Sequence, residues 1–229
     1  MDFIKPEEVS TYGVVEIYRN LLKMLKARGY NVEVEEDIYK NMTEDEFWYG
    51  EGKEKRNWSD LNSVYEHPDK PKKLQTIWIP FNPTSDKIKI DNLVKEMKKV
   101  SPDGKDKDFL FLSDKPVGNP AGEKLEMLSK IEFWMYDRLR VDIPHHYLID
   151  RVEKVSKEEA GEIMRNMQIK PCNFPVISIQ DMLVRWYGWE IGDLIRIWVN
   201  REHIGKEVHY RMVTAKDFSN APIKDTIFN

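Results

Sequence analysis

The sequence predicts an α/β domain followed by a smaller α+β domain. Three observations carry this expectation. Between residues 61 and 143, strand-like runs alternate with helical patterns, the order of a layered α/β structure. Between 173 and 213, one short helix precedes two strands with period-two alternation. Apolar residues make up 41% of the 229 and charged residues 33%, a balance that supports packed cores rather than a disordered chain. The expected domains are 1–142 and 143–229, with a short extra tail from about 214.

In the first domain, Val14, Ile17, Tyr18, Leu21, Leu22 and Leu25 recur at helical spacing. Lys26 and Arg28 lie near the C-terminal end of this helix, where its dipole favours cations, and Gly29 stops it. The carboxylates between 33 and 46 read as a solvated face, and a second short helix is expected over Glu44–Tyr49. Leu61–Glu66 and Leu74–Phe81 read as strands joined by the Pro/Lys turn at 68–73. Ile90–Val100 places Leu93, Met97 and Val100 on one helical face. Asp108–Ser113 contains the run Phe109-Leu110-Phe111-Leu112, the pattern of a strand buried on both sides. A helix is expected over Glu123–Lys130, then a final strand over Phe133–Ile143 with Phe133, Met135, Leu139 and Val141 in the core.

In the second domain, Ser156 and Glu159 form a capping box that opens a helix with Ala160, Ile163, Met164 and Met167 inward. Ser178 is expected to cap the next helix, with Asp181 three residues on and Ile179, Met182, Leu183 and Trp186 as its apolar face. Gly188 stands where a left-handed helix end belongs, and Gly192 permits a second tight turn. Leu194–Val199 and Glu207–Val213 are the strands, joined by a loop from Asn200 to Lys206. Ile195, Ile197 and Val199 share one face; Leu194, Arg196 and Trp198 share the other. Val208, Tyr210 and Met212 alternate with His209, Arg211 and Val213.

Several chemistries are excluded. No apolar run approaches the roughly 18 residues that a membrane span needs, and the first residues have no signal-peptide pattern. Cys172 is the sole cysteine, so a disulfide within the chain and a cysteine metal site are excluded, and a reducing compartment is expected. Neither Gly50–Lys55 nor Gly118–Lys124 has the spacing of a phosphate loop. His145 and His146 are adjacent and point apart on an extended chain, without a third ligand nearby. Trp186, Tyr187, Trp189 and Trp198 read as core or interface rather than as a base-stacking platform. The net charge of −4 is not that of a stand-alone nucleic-acid binder, so any contact with DNA is expected to be local. The expected inventory holds no cofactor, metal, catalytic group, membrane or small-molecule substrate.

The run from Phe174 to Val213 resembles the C-terminal domain of the fifth-largest subunit of eukaryotic RNA polymerases, a domain shared with that subunit's archaeal counterpart. Pro175, Ile177, Asp181, Arg185, Gly188, Gly192, Arg196, Ile197, Glu202, Gly205, Tyr210 and Arg211 follow that family's pattern in order and without a gap. Val176, Met182, Arg201, His203 and Ile204 depart from it, which suggests a divergent lineage. In the first half, Arg28-Gly29-Tyr30 followed by Glu35-Glu36-Asp37 is similar to the opening of the eukaryotic subunit. The element order there also matches its jaw domain.

The resemblance implies a restriction-endonuclease-like jaw domain followed by a small assembly domain. The jaw is expected to be inactive. Asp60 could begin a nuclease metal site, but Leu74–Pro80 offers no carboxylate to complete it. The implied role is a non-catalytic structural subunit of a multisubunit DNA-directed RNA polymerase in transcription, docked on the largest subunit and near downstream DNA. The alternative is a free-standing transcription adaptor built from the same domains. Asp181, Arg185, Tyr187, Gly188, Gly192, Tyr210 and Arg211 are the expected subunit interface. Lys115, Asn119 and Pro120 are the expected DNA-proximal residues, touching the duplex backbone only. The implied location is the nucleus, or a virion or cytoplasmic viral factory if a large DNA virus encodes the chain.

Overall fold

A computed structural model describes residues 13–50, 55–80, 87–103, 106–117, 130–201 and 205–215. The chain divides into two compact units, Met1–Val141 and Asp142–Asn229.

In the first unit, helix α1 (Val14–Ala27) buries Ile17, Leu21, Leu22, Met24 and Leu25. Gly13 precedes it and has no side chain to cap it. The carboxylate of Glu44 does so instead, accepting from the N–H groups of Val14 and Val15 at 3.1 and 3.2 Å. Glu44 belongs to α3 (Glu44–Tyr49), which carries its own capping box between Thr43 and Glu46. Between these helices lies α2 (Glu33–Tyr39), which buries none of its residues. The acidic pattern that reads as a solvated face is therefore a helix.

Strands β1 (Val64–Tyr65), β2 (Lys73–Trp78), β3 (Lys107–Ser113) and β4 (Ile131–Met135) form one sheet in that order. The first pairing is antiparallel and the other two are parallel. Helix α4 (Ile90–Val100) links β2 to β3 and covers one face, where Leu93 and Met97 pack with Ile77, Phe109 and Phe111. The other face meets α1 through Tyr18, stacked on Trp78 at 5.7 Å. Six rings close a circuit there: Tyr18, Trp78, Tyr136, Trp58, Trp48 and Phe47, with neighbouring centroids 5.2 to 5.7 Å apart.

That circuit explains two departures from expectation. The strand expected over 133–143 stops at Met135, and α5 (Tyr136–Leu139) follows. The turn brings the Tyr136 ring onto Trp78 and lets its hydroxyl donate to Ile79 O at 2.7 Å. Leu139 is buried as expected, but Val141 is 53% exposed, because it lies beyond that helix. The strand expected over 61–66 narrows to Val64–Tyr65, because Trp58–Leu61 coils into a 3₁₀ turn that presents Trp58 to the circuit. The helix expected over 123–130 falls on residues outside the described ones, apart from Lys130.

In the second unit, β5 (Ile149–Lys154), β7 (Leu194–Arg201), β8 (Gly205–Thr214) and β6 (Val176–Ser178) lie side by side in that order. Helix α6 (Lys157–Met167) covers one face, where Ala160 packs with Val155, Phe174, Leu194 and Met212. Helix α7 (Met182–Tyr187) covers the other, where Val184 packs with Ile195 and Val213. Ser178 ends a strand parallel to β8 rather than capping α7. Asp181 is the cap. Met167 is 50% exposed rather than inward. The chain turns through left-handed Gln168, so Ile169 takes the inward place beside Met164. The hairpin strands run on to the pair Arg201–Gly205, where Gly205 sits at φ +85°.

Gly29 is constrained both by its backbone and by a neighbour. It sits at φ +86°, and a Cβ there would lie 2.8 Å from Nε2 of His67. That ring is held twice: Asp69 N–H donates to Nδ1 at 3.0 Å, so Nε2 carries the hydrogen and donates to Arg28 O at 3.0 Å. Gly29→Ala is expected to cost about 1–3 kcal/mol, read from the urea midpoint. Gly13→Ala shares the positive φ, +87°, but meets nothing within 4 Å. It should cost less, and equal losses would remove the His67 contact from the explanation.

Candidate functional site

The expected interface residues lie in the second unit, and three of them set backbone. Asp181 Oδ1 accepts from Leu183 N at 2.9 Å, which caps α7. Gly188, at φ +66°, ends that helix: its N–H donates to Arg185 O, and Trp189 N donates to Val184 O, both at 3.1 Å. Gly192, at φ +93°, donates to Val213 O at 2.9 Å and ties the following turn to β8.

The remaining four divide between the faces of the sheet. Arg185 lies half-buried in the last turn of α7. Tyr187 is half-buried and lies flat on Trp189, with centroids 4.5 Å apart and planes 8° from parallel. Burial, and then the charge of Asp142, raises its phenol above the ordinary pKa. Arg211 pairs with Ile195 across the ladder and so shares the α7 face. It is half-buried, and it makes no ion pair with any described residue. Tyr210 alternates to the α6 face, opposite Arg196 and edge-on to Phe174 at 6.4 Å. The seven residues are therefore not one patch. Arg211 joins the α7 group, and Tyr210 stands apart from it.

The sequence marks Arg196 as a strand position and as part of the family pattern but not as a site residue, yet it organises the α6 face. Its Nε donates to Glu153 on β5 at 3.0 Å, and its Nη1 donates to Glu159 on α6 at 2.8 Å. The guanidinium lies 4.9 Å from the Trp198 ring, and that of Arg151 lies 4.9 Å from the same ring. Hydrogen bonding to Glu153 raises the already high pKa of Arg196. Burial alone would raise the Glu153 carboxyl, but bonding to Arg196 and the charges of Arg196 and Arg151 outweigh it and hold the carboxyl below its ordinary value. The signal that could have found it is a lone arginine inside an apolar strand, which needs a carboxylate from a neighbouring element.

In the first unit, Lys115 follows the carboxyl end of β3, where Ser113 Oγ donates to its carbonyl at 2.8 Å. Neighbouring Asp114 has its carboxyl raised by burial. Asn119 and Pro120 lie outside the described residues. Asp60 accepts from Asn57 N at 2.9 Å and closes a 3₁₀ turn. His145 bonds to Asp142 at 2.7 Å, whereas His146 leans on Tyr147, with ring centroids 4.6 Å apart. Among the described residues, no three His, Cys, Asp or Glu side chains gather as a metal site.

Two family models match the chain. RNA polymerase Rpb5, N-terminal domain, covers residues 9–100, and RNA polymerase Rpb5, C-terminal domain, covers residues 141–213. DNA-directed RNA polymerases I, II, and III subunit RPABC1 of Caenorhabditis briggsae is 24% identical over 210 residues, 90% of this chain and 98% of that relative. DNA-directed RNA polymerase V subunit 5A of Arabidopsis thaliana is 27% identical over 197 residues, 85% of each chain. DNA-directed RNA polymerase subunit Rpo5 of Staphylothermus marinus is 37% identical over 76 residues, 33% of this chain and 84% of that relative.

The network around Arg196 has a pH signature. A depressed carboxyl contributes stability above its unfolded value, about 4.3 for Glu, and loses it as pH falls through the folded value. Arg196→Gln is expected to cost about 1.5–3 kcal/mol at neutral pH and to flatten this acid loss. Carboxyl NMR should show the Glu153 pKa rising in the variant, and an unchanged value would contradict the pairing.

Proposed function

The chain belongs to the Rpb5 family of DNA-directed RNA polymerase subunits, and from that premise we propose that it is a non-catalytic structural subunit of a multisubunit DNA-directed RNA polymerase. The observation that carries this reading is the succession of both Rpb5 domains along one chain. In this proposal the second unit is the assembly module and docks on the largest subunit. The first unit is a jaw beside the DNA entering the enzyme, a nuclease-like scaffold without a working site. The absence of any carboxylate from β2 supports that. Transcription by such an enzyme places its work in the nucleus.

Docking is assigned to Arg185, Tyr187 and Arg211, with Asp181, Gly188 and Gly192 holding the backbone that presents them. Tyr210, on the other face, contributes through a second contact. Arg211 carries the clearest chemistry: a half-buried guanidinium without an ion-pair partner among the described residues suits a carboxylate of a neighbouring subunit. Arg211→Ala in a tagged chain should lower recovery of the largest subunit about tenfold or more, with little change in the chain's own stability. Equal recovery would remove Arg211 from the interface. Gel filtration of a native extract distinguishes a subunit, which runs with a very large complex, from a free adaptor.

The DNA contact is assigned to Lys115, Asn119 and Pro120, through backbone phosphates alone. The net charge of −4 allows only a local contact, so the effect should be independent of sequence and fall with salt. A photoreactive residue at position 119 should crosslink to downstream duplex in an assembled elongation complex. Fully assembled enzyme without such crosslinks would sink the assignment.

A further inference from the structure

Helix α2 is amphipathic in the wrong direction for a surface helix. At about 100° per residue, Glu33, Val34, Asp37 and Ile38 share one side, and Glu35, Glu36 and Tyr39 share the other. The apolar pair points outward: Val34 is 71% exposed and Ile38 54%. The inward side holds acidic residues and a tyrosine. Glu36 bonds to Lys26 of α1 at 2.6 Å, and Tyr39 lies 4.6 Å from the Tyr18 ring and 5.6 Å from the Phe47 ring. A helix that only needed to seat on α1 would place Val34 and Ile38 inward.

The charges beside that apolar pair act on α1 only at a distance: the pKa of the Lys26 ammonium is raised by its bonded partner Glu36 first, and then by Glu33 and Asp37. Neither the Glu33 nor the Asp37 side chain makes a hydrogen bond or ion pair with a described residue. The nearby cation, Lys26, is bonded to Glu36 instead. Two β-branched side chains flanked by two carboxylates form a surface with a definite complement. Phosphates of nucleic acid and anionic lipid are repelled by it. A second copy of the same face would set carboxylates against carboxylates. The face fits an apolar side chain carried between lysines.

We propose that the outward face of α2 docks a lysine-bearing apolar segment of another subunit of the polymerase. This extends the subunit role proposed above and rests on it for the identity of the complex. It assigns the first unit a protein contact separate from its DNA-facing loop.

The test is zero-length carbodiimide crosslinking of polymerase purified through a tag on this chain, followed by mass spectrometry. The reagent joins a carboxylate directly to a lysine amine in contact with it. The Lys26–Glu36 pair, at 2.6 Å, is the internal control. Glu33 or Asp37 should join to a lysine of another subunit, and the yield should fall about tenfold or more in Val34→Ser/Ile38→Ser. The internal amide should persist in that variant, because both replaced side chains are exposed. Polymerase that gives only the internal amide overturns the docking face and leaves the subunit reading standing. Linkage to a second copy, or intermolecular linkage undiminished in the double variant, also overturns the docking face. Recovery of the chain without other polymerase subunits overturns the subunit reading and, with it, the partner named here.

Discussion

A guanidinium taken out of water must meet a carboxylate already held in place, and both units of this chain are arranged around one that does. In the first, the Arg28 side chain is 9% exposed and donates from both terminal nitrogens to Glu132, at 2.7 and 2.8 Å. Trp134 Nε1 donates to the same carboxylate at 2.6 Å. The end of α1 is thereby locked to β4, more than a hundred residues later. In the second, Arg196 joins β5 to α6 through Glu153 and Glu159. Leaving the buried Arg28 guanidinium unpaired costs several kcal/mol, and the partly exposed Arg196 less, so each pair constrains where whole elements sit.

Around these pairs, both sheets are covered on two sides by little chain. Leu110, Leu112, Phe109 and Phe111 of β3 are all buried, which one helix alone does not achieve. Helix α4 covers one face, and α1 with the aromatic circuit covers the other. The second unit repeats the solution with α6 and α7. A short helix such as α7 holds its place through ends rather than length. Asp181 caps it, Gly188 turns it, and Val184 anchors its middle in the core. Arg185, Tyr187 and Arg211 lie on that side of the second unit.

Much of this is legible without any tertiary contact. Helix Ile90–Val100, the buried strand through Phe109–Leu112 and the left-handed ends at Gly188 and Gly29 follow from periodicity and from glycine's freedom. Capping is legible as chemistry but not always as position. Ser178 and Asp181 both suit a helix start, and pairing of Val176–Ser178 with β8 settles it in favour of Asp181. The helix Glu33–Tyr39 escapes sequence reasoning because its apolar residues point outward, so its pattern matches no inward stripe. Of the candidate interface, the residue types are legible and their grouping is not. Tyr210 and Arg211 are adjacent in sequence and separate in space because a strand sends successive side chains to opposite faces.

By itself, the sequence determined the two-part division, the main helices and strands of both parts and the pattern that marks the Rpb5 C-terminal domain. Each is a local property, carried by spacing within a few turns of chain. Tertiary structure alone decided which carboxylate answers Arg28 and Arg196, why the strand expected beyond Met135 turns into a helix, and which side of α2 faces water. Those outcomes depend on residues such as Glu132, Tyr136 and Lys26 that reach their partners only when distant segments pack together. The energy of burying a ring or a charge is set by that packing, and it overrides local preference wherever the two disagree.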